Sequence, residues 1–162
     1  MRIIALTALT ALSLVAFTAC GTDTTQLSED QANELVAKEK IWLAGVNRVN
    51  KQENKCANLE SASETGDCLG KVMDDLGTSV ASLAPYLDQL SGELTGPCSE
   101  QIKASGGELE DFKKLAVSIS KQLKAGDLQA AVSKLRSSQF NGSLDTAQKK
   151  FNKALDTCTS GS

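Results

Sequence analysis

Four cysteines constrain this chain more than any other feature: Cys56, Cys68, Cys98 and Cys158, an even set that pairs by default if the chain is exported. Each disulfide needs its two Cα atoms about 4.4–6.8 Å apart. Three pairings are open in principle, so the choice rests on where the chain carries each cysteine.

Hydrophobic spacing predicts that path. Ser28-Glu29-Asp30-Gln31 reads as a capping box with acids in the first helical turn. Leu35, Trp42, Val46, Val49 and Cys56 then recur at three-and-four spacing to about Ser61, with Glu39 and Glu53 in the same stripe. Ser63 to Asp67 reads as a turn with Asp67 as the next N-cap. A second stripe follows through Leu69, Val72, Met73, Leu76, Val80, Leu83, Leu87, Leu90 and Leu94. Thr95-Gly96-Pro97 ends it, and Pro97 suits the first turn of a third segment carrying Cys98, Ile102, Ser105, Leu109, Phe112, Ala116, Ile119 and Leu123. Gly126 stops that segment and Asp127 caps a fourth, with Leu128, Val132 and Leu135 before an expected break near Asn141-Gly142. Leu144, Ala147, Phe151, Ala154 and Cys158 complete it.

Four segments of roughly 27–32 residues would each span about 40–48 Å as helix. Matched lengths and short turns predict an all-α fold, an antiparallel up-down-up-down four-helix bundle. In that bundle Cys56 and Cys68 share one end, and Cys98 and Cys158 share the other. The expected bridges are therefore Cys56–Cys68 and Cys98–Cys158, since the other two pairings would cross the length of the bundle. A zinc site using all four cysteines would need them gathered at one end, so no metal is expected.

The N-terminus supplies the export argument. Met1-Arg2 is a short basic start, and residues 3–17 are apolar or small, too short a run to span a bilayer comfortably. The run ends in Phe17-Thr18-Ala19-Cys20-Gly21, which resembles the lipobox of bacterial lipoproteins, with Phe17 where that family prefers Leu. The resemblance covers the processing region alone. It implies cleavage before Cys20, diacylation of that cysteine, typically with palmitate, and a domain held on the extracytoplasmic side of the bacterial membrane. The expected organisation is a signal peptide over 1–19, a lipidated cysteine and flexible tether over 20–27, and the helical domain over 28–162. Two or three acyl chains give stable anchoring where one is marginal.

Composition narrows function mostly by exclusion. The 162 residues contain no histidine, which rules out Ser-His-Asp and Cys-His catalysis and His-ligated zinc or haem. Glu39 and Glu53 share a helix face, but a di-iron bundle also needs a Glu-x-x-His motif. The net charge of −3 becomes −4 once Arg2, the only charged side chain of 1–19, is removed, and interleaved signs give no footprint for nucleic acid. Lys149, Lys150 and Lys153 are read as a solvated face rather than a head-group site, and Asp74-Asp75 is too small for a calcium loop.

One layer stands out. Pro85 and Gly106-Gly107 interrupt the second and third segments at nearly the same height, where Glu39, Trp42, Tyr86 and Phe151 also fall. This waist is the candidate pocket: Trp42, Tyr86 and Phe151 as walls, Glu39 as a polar contact, and Gly106 and Gly107 providing room. The competing explanation is that aromatic bulk fills the space beside two glycines, whose helix propensity costs on the order of 2 kcal/mol. The expectation is a non-enzymatic, membrane-anchored envelope module without a cofactor, docking on another envelope protein. The alternative is a carrier or sensor of a small apolar ligand held at the waist.

Overall fold

A computed structural model describes residues 25–159. Residues 1–24, which hold the expected signal peptide, Cys20 and the start of the expected tether, lie outside the described residues, as do residues 160–162. Six α-helices follow: α1 Glu29–Cys56, α2 Ala62–Ala81, α3 Ala84–Glu93, α4 Gly96–Lys124, α5 Leu128–Arg136 and α6 Ser138–Thr159. The described part of the chain is all-α and holds two disulfides.

The start of α1 follows its sequence signature. The Gln31 N–H donates to Ser28 Oγ at 3.3 Å, and the Ser28 N–H donates to Gln31 Oε1 at 2.9 Å, so two otherwise orphaned donors are satisfied reciprocally. The next start differs from expectation. Ser61, not Asp67, caps α2: the Glu64 N–H donates to Ser61 Oγ at 3.1 Å, and that hydroxyl donates to Glu64 Oε2 at 2.9 Å. Residues 63–67, read as a turn, are helical, and α1 ends at Cys56.

Two of the expected four segments are each split. Pro85 sits in the first turn of α3, where its missing N–H is harmless, and α2 stops at Ala81. The last segment breaks at Ser137, not at Asn141-Gly142, which lie inside α6. Ser137 has extended backbone, its hydroxyl donates to the Lys134 carbonyl at 2.6 Å, and the Phe140 N–H donates back to that hydroxyl at 3.3 Å. One side chain thus caps both sides of the break. The Gly106-Gly107 pair interrupts nothing, since α4 runs through it for 29 residues.

Along α1 and its neighbours, Gln31 Nε2 donates to Glu93 at 2.9 Å, Gly45 lies against Ser79, and Cys56 bonds Cys68 with Cα atoms 5.5 Å apart. Any Cβ at Gly45 would collide with the Ser79 side chain, so α1 and α2 approach closely there. Between α4 and α2–α3, Ser99 Oγ donates to the Ser91 carbonyl at 2.7 Å, Gly106 abuts Leu87, and Ser120 Oγ donates to the Gly70 carbonyl at 3.1 Å. Between α4 and α6, Cys98 bonds Cys158 with Cα atoms 4.9 Å apart, and the rings of Phe112 and Phe140 are 5.5 Å apart. The core between them is built from the expected stripes, with Trp42, Phe112, Phe151, Met73 and Leu109 among its fully buried side chains. Burial of such residues contributes about 1.5–3 kcal/mol each, the main favourable term.

Candidate functional site

The waist expected from sequence resolves into separate contacts. Trp42 of α1 and Phe151 of α6 do meet, edge to face with ring centres 6.1 Å apart, and both are wholly buried. α1 and α6 bridge their seam through these two rings, while α1 packs chiefly on α2, and α6 on α4. Tyr86 engages the beginning of α1 instead: its hydroxyl donates to the Gln31 carbonyl at 3.3 Å, and the Lys38 ammonium lies 5.0 Å from its ring centre. Burial, reinforced by the Glu34 charge, pushes the Tyr86 phenol up to about 12.

The two glycines separate. A Cβ at Gly106 would sit 3.4 Å from Leu87 Cβ, so Gly106 permits close packing of α4 on α3. Gly107 is exposed, and a Cβ there would have nothing within 4 Å. Gly107 is therefore no part of the waist lining, which corrects the expectation from the paired glycines. Glu39 is half-buried, and its burial raises the carboxyl above the usual range, opposed by the Lys40 charge. Two polar atoms at this level, Trp42 Nε1 and Ser105 Oγ, are buried with no hydrogen-bond partner in the protein. Each such atom is costly unless satisfied, at about 1–3 kcal/mol.

Other candidates are occupied by structure. Asp74 accepts from Ser120 Oγ at 2.6 Å and pairs with Lys124, and these two hydrogen bonds hold its carboxyl below the usual range. This α2–α4 link was hidden in sequence, although Ser120 and Lys124 stand one turn apart on one face of α4. Asp75 reaches Arg48 at 3.9 Å, Lys149 pairs with Asp145 at 2.7 Å, and Glu53 is half-buried on α1. With Cys56 and Cys68 bonded at one end and Cys98 and Cys158 at the other, no four-cysteine zinc site can form. Among the described residues no group of three His, Cys, Asp or Glu side chains is placed to hold a metal.

Two shallow recesses lie away from the waist. One of about 430 Å³ runs along α4 past Lys114, Val117, Lys121 and Gln122. The other, about 200 Å³, lies beside Asp67, Leu123 and Gly126. Among the described residues no helix is long and apolar enough to cross a membrane.

The class these observations define is a small, all-helical, doubly disulfide-bonded domain. No family model matches the sequence, and neither a curated protein nor a solved structure is significantly similar to it.

Proposed function

We propose that this chain is an exported, lipid-anchored module that works by docking on another envelope protein and catalyses no reaction. Its six helices then form four up-and-down columns, α1, α2 with α3, α4, and α5 with α6, stapled at both ends. The lipobox-like Phe17-Thr18-Ala19-Cys20 supports the anchor, and the lack of histidine favours binding over catalysis. The observation that carries the docking role is Ile41, which is 54% exposed on a helix whose next residue, Trp42, is wholly buried. A single exposed apolar residue means little, but contiguous exposed apolar surface marks contact sites, and Ile41 is flanked about one turn either way by exposed Ala37 and Ala44.

The test is affinity purification of the full chain from its own membranes, with intact mass measured under denaturing, non-reducing conditions. An acylated chain starting at Cys20 and lacking four cysteine hydrogens is expected, with a co-purifying protein that Ile41→Glu releases. An unacylated mass would defeat the anchor, and a partner indifferent to Ile41→Glu would defeat the docking face.

The unpartnered Trp42 Nε1 and Ser105 Oγ favour a second reading, a carrier of a small, largely apolar ligand with one hydrogen-bond acceptor. On that reading, added quinones or lipids shift Trp42 fluorescence and Ser105→Val weakens the response. Unchanged emission throughout would remove it.

A further inference from the structure

Flanking the buried side of α1, a second stripe recurs at three-and-four spacing, and every residue in it is exposed. Its centre is small and apolar: Ala37, Ile41 and Ala44. On the N-terminal side stand Asp30 and Glu34, and on the C-terminal side Arg48 and Lys51. The stripe is thus acidic at one end, basic at the other, and symmetric in size about Ile41.

Such a stripe is complementary to itself when turned end for end. About a two-fold axis at Ile41, Glu34 of one copy falls opposite Arg48 of the second, Ala37 falls beside Ala44, and Asp30 beside Lys51. Each contact occurs twice, as an isologous interface requires. Parallel pairing would instead set Glu34 against Glu34 and Arg48 against Arg48, which costs rather than gains. The two alanines leave the backbones free to approach to the 8–10 Å of packed helices, with Ile41 the only bulky side chain between them. Within one chain Glu34 takes Lys38 at 3.3 Å, and Arg48 reaches Asp75 at 3.9 Å. The Arg48–Asp75 pair is solvent-exposed and holds its partners weakly. Lys38, by contrast, is half-buried over the Tyr86 ring and Glu34 also acts on the Tyr86 phenol, so pairing between copies competes with these contacts.

We infer that a second copy of this chain docks antiparallel on the outer face of α1, Ile41 against Ile41, with Glu34 and Arg48 setting the register. The inference rests on the docking role of the Ile41 face proposed above and makes the protein docked there a second copy of this chain rather than a different one. If both copies are tethered to one membrane, the paired α1 helices lie along its surface, because their N-termini point opposite ways.

The test places a photo-crosslinking amino acid at position 41 of the full chain, in cells that export it. The expected product has twice the chain's mass and joins two peptides that each contain position 41. Glu34→Arg alone and Arg48→Glu alone should each reduce it about tenfold, the effect of a 1.4 kcal/mol change. Co-produced, the two variants should restore it between unlike chains, since each then meets its opposite charge. Thermal melts of both variants, run alongside, report whether they fold. Homodimer product that survives both swaps would overturn the antiparallel register. Product joined to a different protein would overturn the second copy while leaving the docking role standing. No product at position 41 would overturn both.

Discussion

The inner and outer faces of α1 carry opposite signals within a single helix. Leu35, Trp42, Val49 and Cys56 point into the core, and Ala37, Ile41, Ala44 and Arg48 point into solvent. The inner face is large, aromatic in the middle and covalently fixed at its end to Cys68. The outer face is small, with charge sorted by sign from one end to the other. Stability and association should therefore be separable: inner substitutions change the unfolding free energy, and outer ones change what the folded chain binds.

The largest expected break in that comparison is Trp42→Ala. Removing a buried indole packed on Phe151 should cost about 3–5 kcal/mol in chemical denaturation, while crosslinking through position 41 persists wherever the chain stays folded. Next is the covalent end of the inner face. Replacing Cys56 and Cys68 by Ser opens a loop with a separation of 12 residues, for which chain entropy gives about 3 kcal/mol. The matching change at Cys98 and Cys158, separated by 60 residues, should cost about 4 kcal/mol, and unfolding monitored with each pair removed checks the order.

Gly45→Leu should cost about 1–3 kcal/mol, because its side chain would be forced against Ser79 and push α1 off α2. A smaller effect is expected in alkali. The Tyr86 phenol is raised to about 12, so it stays protonated in the folded chain after the unfolded chain, near its usual value of about 10, has ionised. Its contribution is complete below about pH 10 and is lost as pH rises toward 12. Stability measured over that window should fall more steeply in the wild type than in Tyr86→Phe. Smallest of all, Ile41→Lys should change unfolding of the monomer, followed at concentrations too low for association, by no more than about 0.5 kcal/mol.

Much of the inner architecture was legible in the sequence, because burial imposes periodicity. The stripes through Leu35, Leu76 and Leu109 fall in the core as expected, and the cysteine pairs follow from the segment ends on which they lie. Helix starts were legible only where one cap signal stood alone. Before α2, Asp67 is the cap expected from sequence, whereas Ser61 with Glu64 three residues on satisfies the donors at the helix start. The break at Ser137 depends on one hydroxyl serving two backbone groups, which composition does not reveal. Gly106-Gly107 was misread as a break because propensity yields to packing: Gly106 gains the close approach of Leu87. The outer stripe escaped notice for the converse reason. A search for large apolar residues passes over two alanines and one isoleucine, and only the exposure of Ile41 gives their spacing meaning.

The most direct test of this division of labour is native mass spectrometry of the full chain released from its own membranes, wild type beside Ile41→Lys. The account predicts a dimer for the wild type and a folded monomer for Ile41→Lys, with both disulfides intact in each and melting temperatures that converge as the wild type is diluted to monomer. Identical oligomeric states in the two chains, or an Ile41→Lys chain that loses its dimer only by unfolding, would contradict it.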